Sequence, residues 1–209
     1  MTTVISDFGG VLTSPLLRSF AAFQDQAGVP LEELGKAMRT IELRDGENPL
    51  FVLERGEMTE PAFLEAIGSE LEAQLGRPVD MHTFAERYFG SLSANDELID
   101  HLRGVRDRGL RLAMLTNNVR EWEPRWRAML PVDELFELVV DSAFVGLRKP
   151  DPAIYLLTCS RLGVEPAECL FLDDLEPNVA AARELGMAAV RFVDNAQAIP
   201  EIEALLAPS

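Results

Sequence analysis

Three apolar runs in this chain end on reactive side chains, and a lysine stands by itself between the second and third. Val4-Ile5-Ser6 ends on Asp7 and meets Gly9 and Gly10; Leu112 to Leu115 ends on Thr116, Asn117 and Asn118; Cys169 to Leu172 ends on the adjacent acids Asp173 and Asp174. Two carboxylates side by side repel each other unless a cation neutralises them, and hard oxygen ligands of this kind suit magnesium. The alternative is that Asp174 caps the helix opened by Pro177 while Asp173 is solvated. Asp7 likewise has two readings, a turn cap or a group placed to react. Thr116 and the backbone N–H of Asn117 can both donate to phosphate oxygens, although an Asn-rich turn has the same composition. Lys149 is one of only two lysines in the chain, the other being Lys36, and is followed by Pro150. A point charge held in a rigid loop suits a carboxylate and a phosphoryl group; an ordinary exposed lysine is the plainer alternative.

These groups need elements that bring them to one place. A short β-branched run that ends on an acid and then on glycines is how a buried parallel strand delivers a side chain to the mouth of a sheet. In open α/β sheets the ligand crevice lies beyond the carboxyl ends of the strands, which favours the reactive reading of Asp7. Further strands are expected at Arg111–Thr116, Leu138–Asp141, Cys169–Leu172 and Ala188–Phe192. Helices are expected at about Asn95–Arg108, Glu121–Met129 with Trp122 and Trp126 on one face, from Pro152, from Pro177 and at Ile199–Leu206. Asp151 before Pro152 reads as an N-cap with proline at the first helical position.

A plain strand–helix–strand crossover takes roughly 30 residues. The second strand starts only at Arg111, so the excess between about 14 and 91 reads as a helical insertion. In it Leu16, Leu17, Phe20 and Phe23 share one face, and Phe63, Ile67 and Leu71 recur at four-residue spacing after Thr59 and Pro61. Asp45 to Pro49 and Glu54 to Glu57 read as turns. Because the insertion leaves just after Asp7, it is expected to lie over the reactive end of the sheet as a lid.

With 209 residues, 47% hydrophobic content and a formal charge of −16, the chain is expected to form a compact α/β protein. An acidic surface disfavours nucleic acid and anionic membrane as partners. The Met1-Thr2-Thr3 start shows neither a basic region nor a long apolar one, so a cytoplasmic location is expected. Cys159 and Cys169 are expected as buried free thiols.

Asp-Phe-Gly-Gly-Val-Leu-Thr at 7–13, Leu-Thr-Asn-Asn at 115–118, Lys-Pro-Asp-Pro at 149–152 and Phe-Leu-Asp-Asp at 171–174 resemble, in order, the four motifs of the haloacid dehalogenase-like (HAD) hydrolase superfamily. The insertion resembles the small α-helical cap of its subfamily I. Glu54-Arg55-Gly56-Glu57 before a Thr-led helix resembles the branch of bacterial sugar-phosphate phosphatases and the N-terminal phosphatase domain of soluble epoxide hydrolases. The resemblance implies a Rossmann-like three-layer α/β/α parallel sheet, with a core of residues 1–13 and 92–209 and a cap of residues 14–91. It further implies a phosphatase of a small phosphorylated metabolite. In that scheme Asp7 is the nucleophile that forms an aspartyl phosphate. Magnesium is held by Asp7, the carbonyl of Gly9, Asp174 and, directly or through water, Asp173. Thr116, Asn117 and Lys149 grip the phosphoryl oxygens.

One position departs from the pattern. Phosphatases of this family usually carry a second aspartate two residues after the nucleophile, where this chain has Gly9. General acid–base help is worth about two to four powers of ten in rate. Three readings follow: a phosphatase whose acid comes from elsewhere or whose substrate has a good leaving group; a HAD hydrolase of another type, dehalogenase- or phosphonatase-like; or a weakly active or non-catalytic binder. His82, expected in a cap helix, and His101, expected in a core helix, are the available stand-in acids, and neither is assigned that role.

Overall fold

The computed structural model describes residues 1–15, 24 and 28–207. The expected face of Leu16, Leu17, Phe20 and Phe23 lies outside the described residues. Five parallel strands, β1 (Thr3–Ser6), β2 (Arg111–Thr116), β3 (Leu138–Asp141), β4 (Cys169–Asp173) and β5 (Ala188–Arg191), form one sheet in the order β3-β2-β1-β4-β5. β1 is therefore central. Ser6 is level with Met114 on one side and Leu172 on the other, and the Asp7 N–H continues the ladder to the Leu172 carbonyl at 2.8 Å. Parallel register sends every strand's carboxyl end to one edge, which collects Asp7, Thr116, Asp141 and Asp173 there.

Both faces of the sheet are covered, which is why these strands read as nearly unbroken apolar runs. Val4, Met114, Leu170 and Leu172 face a cluster with Leu98, Leu102, Trp126 and Ile202, whereas Ile5, Ala113, Leu115 and Phe171 face one with Ile154, Tyr155 and Ala182. The first layer of helices includes α5 (Asp96–Asp107), α6 (Glu123–Met129) and α11 (Asn195–Leu206); the second includes α9 (Pro152–Leu162) and α10 (Glu176–Glu184). Asn95 caps α5 through Leu98 N–H, and Asp151 caps α9 through Ala153 N–H with Pro152 at its start. Cys159 and Cys169 are buried free thiols.

Between β1 and β2 lie α1 (Leu31–Asp45), α2 (Pro49–Glu54), α3 (Glu60–Leu75) and α4 (Phe84–Gly90). The chain leaves and returns on two adjacent rails: Thr13 bridges Ala94, Ser14 N–H donates to the Ser93 carbonyl and Asn95 N–H to the Leu12 carbonyl. The inserted helices have an apolar cluster of their own, with Leu34, Ile41, Leu53, Phe63, Ile67 and Leu71. Fully burying side chains such as Ile67 and Leu71 contributes about 1.5–3 kcal/mol each. α3 starts on Thr59, whose side chain accepts from Ala62 N–H, and ends at Gly76 in the left-handed conformation.

Four local expectations change. The turn read at Asp45–Pro49 is shorter, because Asn48 accepts from Leu50 N–H and Pro49 opens α2. α11 starts at Asn195 rather than Ile199, since the Asp194 side chain accepts from Gln197 N–H and Pro200 is accommodated inside the helix. Trp122 lies in a 3₁₀ turn, Arg120–Trp122, ahead of α6, so the two tryptophans part: Trp126 is fully buried against Phe8, and Trp122 stacks on Tyr88 of α4. His82 is in the turn before α4 rather than in a helix. Among the described residues no helix is long and apolar enough to cross a membrane.

Candidate active site

β1 and β4 place Asp7 and Asp173 at neighbouring strand ends, and the loop into α9 lays Lys149 across them. Lys149 Nζ donates to Asp7 Oδ1 at 2.6 Å, to Asp173 Oδ2 at 2.7 Å and to the Leu115 carbonyl at 2.9 Å. It is 1% exposed, and Asp173 is fully buried. An ammonium with three acceptors at hydrogen-bonding distance has its donors saturated, which is the condition under which burying it is tolerable. The plainer reading of Lys149 as an exposed surface charge is therefore excluded. Burial alone would lower its pKa, but Asp173 and Asp7 outweigh burial and the pKa is raised.

Backbone fit holds the lysine loop. The Asn117 side chain accepts from Lys149 N–H at 2.8 Å and donates to the Lys149 carbonyl at 3.0 Å, so the amide clasps the loop across 32 residues of sequence. Thr116 is buried beside it, with its hydroxyl 3.5 Å from the Asn117 carbonyl. Asp173 is fixed from the other side: Asn178 Nδ2 donates to both of its oxygens at 2.9 and 3.1 Å, and Leu175 N–H donates at 2.9 Å. Asn178 is in turn anchored by the buried Tyr155 hydroxyl, which donates to its carbonyl at 3.0 Å.

Carboxylate oxygens of Asp7, Asp173 and Asp174 lie within 4.8 Å of one another. Gly10 makes this possible: at φ +78° it bends the chain, and a Cβ there would come within 2.6 Å of Asp174 Oδ2. Burial, then Asp173 and Asp174, pushes the Asp7 carboxyl up to about 7 despite Lys149. Burial and then Asp173 pushes Asp174 up to about 6. Carboxyls crowded until they hold their protons near neutrality are a set that a hard divalent cation relieves, so the residues present fit magnesium.

The inserted helices close over this edge. Glu54, the last residue of α2, accepts from Arg148 Nε at 2.8 Å, and the Arg148 guanidinium lies 3.8 Å from the centroid of Phe51. Gly56, at φ +69°, passes so close that a Cβ would run into the Ala143 carbonyl oxygen, which also accepts from Arg120 Nη2 at 2.5 Å. On the other flank Trp122 Nε1 donates to Glu60 at 2.8 Å. Burial raises the Tyr88 hydroxyl well above its ordinary pKa, and the charges of Asp7, Glu54 and Asp174 add to it.

The structure thus brings Asp7, Thr116, Asn117, Lys149, Asp173 and Asp174 to one edge. The sequence assigns no site role to Glu54, Arg148 or Tyr155, and Glu54 enters it only through the turn and motif at 54–57. A carboxylate ending the apolar run Leu50-Phe51-Val52-Leu53 was the available signal for Glu54. His101 stands apart on α5, 3.2 Å from Glu203 of α11.

A family model described as haloacid dehalogenase-like hydrolase matches residues 1–186. The chain belongs to the haloacid dehalogenase-like hydrolases. It is 33% identical to Phosphatase MT3486 of Mycobacterium tuberculosis, over 90% of this chain and 86% of that protein. It is also 33% identical to Acyl-CoA dehydrogenase family member 10 of Mus musculus, over 97% of this chain, although the chain spans only 19% of that protein. Among solved structures, a HAD-like family hydrolase from Porphyromonas gingivalis superposes with a TM-score of 0.75 at 26% identity, covering 100% of this chain and 99% of the other. A HAD family enzyme of Bacteroides thetaiotaomicron, solved with magnesium and inorganic phosphate, shares the fold at a TM-score of 0.69 and 21% identity, covering 93% of this chain and 96% of that one.

Proposed function

We propose that this HAD-like hydrolase is a magnesium-dependent phosphatase of a small phosphorylated metabolite, working in the cytoplasm through an aspartyl phosphate on Asp7. The observation that carries the reading is the buried Lys149 ammonium bridging Asp7 and Asp173, with Asp174 alongside. The similarity to Phosphatase MT3486 supports the reaction class.

Asp7, the Gly9 carbonyl and Asp174 would hold magnesium, with Asp173 behind them, directly or through water. When bound, the ion screens carboxylate from phosphate and so lets one anion attack another. Lys149 fixes the Asp7 carboxylate by holding Oδ1 and offers an ammonium where negative charge gathers on the phosphoryl oxygens. Thr116 and the Asn117 N–H would donate to the same oxygens. Asp7 attacks phosphorus, the bond from phosphorus to the leaving oxygen breaks, and that oxygen takes a proton from solvent water. Water then cleaves the acyl phosphate, which releases inorganic phosphate and restores Asp7. Since Gly9 supplies no acid, a substrate whose leaving group departs readily, such as an anomeric or acyl phosphate, suits this chain best. Residues 14–91 act as the cap, entering and leaving over the rails at Thr13 and Ala94.

The test is phosphate release from p-nitrophenyl phosphate and a sugar-phosphate panel, with and without magnesium. Release that needs the ion and vanishes in folded Asp7→Asn is the expected result. Halide release from 2-haloacids without metal, in place of phosphate release, would overturn it.

A further inference from the structure

We propose that Glu54 makes this site select monophosphates whose leaving group carries no second negative charge; the inference rests on the phosphatase reading above. Arg148 is the cation next in sequence to Lys149, and a free guanidinium there could hold a second anionic group on a substrate. Its Nε is instead spent on Glu54 at 2.8 Å, and its guanidinium is covered by the Phe51 ring at 3.8 Å. Both side chains are mostly withdrawn from solvent, at 19% and 15% exposure, so the pair is not loosened by bulk water.

Three other described arginines carry hydrogen bonds of their own. Arg55 forks onto Glu47 and Glu57 at 2.7–3.0 Å, Arg120 donates to the Ala143 carbonyl, and Arg191 Nε donates to the Asp174 carbonyl at 3.3 Å. With magnesium bound, the ion, Lys149 and Arg148 would together match the charge of Asp7, Asp173, Asp174 and Glu54, so Glu54 takes up the guanidinium that would otherwise be left over at the seam. The inserted helices also bring an aromatic pair to the seam, with Tyr88 stacked on Trp122. A neutral, hydroxyl-bearing or aromatic leaving group meets no penalty there. A second phosphate or a carboxylate finds the seam guanidinium already taken by Glu54, so discrimination arises from a cation withheld rather than from a better fit.

Matched pairs read this directly: glucose 6-phosphate against 6-phosphogluconate, and glyceraldehyde 3-phosphate against 3-phosphoglycerate. In the magnesium-loaded wild type, kcat/KM is expected to be at least about tenfold higher for the neutral member of each pair. Glu54→Gln releases Arg148 and is expected to narrow that ratio about fivefold or more. Arg148→Gln, which leaves Glu54 unpaired, must not narrow it, and it serves also if Glu54→Gln fails to fold. Equal rates within the pairs in wild type, or an undiminished ratio in folded Glu54→Gln, would overturn the assignment. If no phosphate ester turns over, p-nitrophenyl phosphate included, the phosphatase reading fails on its own account. Charge selection is still decided by titration calorimetry of butylphosphonate against 4-phosphonobutyrate with magnesium present. Tighter binding of the uncharged-tail compound sustains the proposal, and equal binding ends it.

Discussion

The strand-end site and the seam between the inserted helices and the sheet both rest on a cation withdrawn from solvent, fully for Lys149 and partly for Arg148, but they use it differently. At the strand ends a single ammonium, Lys149, serves two carboxylates and a carbonyl from three separate strands or their ends. At the seam Arg148, the neighbouring residue, serves one carboxylate and one ring. The first arrangement leaves the carboxylates under-neutralised, with Asp7 near 7 and Asp174 near 6. The second is closed, with charge matched one to one. An under-neutralised cluster is stored demand for a ligand, whereas a matched pair is a fastening. The fold places the two side by side on consecutive residues, so closure of the helices and readiness of the site share one loop.

The largest effect expected from breaking this contrast is at Lys149. Lys149→Met leaves Asp7 and Asp173 without their cation, and removing one partner of a buried ionic group costs about 3–5 kcal/mol. Urea unfolding in EDTA should show that loss, and magnesium should restore part of it while phosphate release stays abolished. A metal-free variant as stable as wild type would mean that the ammonium is not what holds the acids together.

Next comes the pH dependence of the metal-free protein. Folding raises the Asp7 carboxyl from 3.8 to about 7 and the Asp174 carboxyl from 3.8 to about 6, so the folded state holds protons that the unfolded chain has released. The stability they allow is therefore complete below about pH 4 and is lost as pH rises through 6 and 7. Between pH 5 and 8 the metal-free protein should lose on the order of 3–4 kcal/mol from these two groups, most of it from Asp7, because Asp174 is partly solvated and its share is screened. Magnesium competes with those protons, so its stabilisation should be largest at pH 8 and smallest at pH 5. Thermal melts with EDTA or magnesium across that range would contradict this if the magnesium increment were flat.

Much of the strand-end site was legible in the sequence, and the seam was not. Apolar runs ending on Asp7, Thr116 and Asp173 announce buried parallel strands, and parallel strands share one carboxyl edge, so the convergence follows from topology. Lys149 stood out because lysine is scarce and Pro150 follows it. Glu54 and Arg148 are 94 residues apart, and nothing local to either names the other. Asn48-Pro49 illustrates the same gap at short range: the dipeptide serves a turn or a capped helix start equally well, and burial of Leu53 in the inserted core decides for the helix. Trp122 and Trp126 share a helical spacing, yet only Trp126 is fully buried in the sheet-facing cluster, whereas Trp122, in the 3₁₀ turn before α6, is partly buried and packs against both that cluster and the one of the inserted helices.

The smallest of these effects, and the one that separates seam from site, is expected at Gly56. Its φ of +69° lies in the left-handed region, and a Cβ would run into the Ala143 carbonyl. Gly56→Ala should therefore cost about 1–3 kcal/mol, partly as backbone strain and partly because the loop must lift from Ala143. Lifting that loop pulls on Glu54 two residues earlier, and with it on Arg148, but it touches neither Lys149 nor Asp173. Magnesium affinity should thus stay within a factor of about three of wild type, while KM for a phosphate ester rises more than kcat falls. Hydrogen exchange would show where the loss lies: amides of α2 and of the 142–148 segment should exchange faster, while those of β1 and β4 should keep their protection. Faster exchange throughout β1 and β4 would show instead that the two regions unfold as one and that the seam is part of the site's own support.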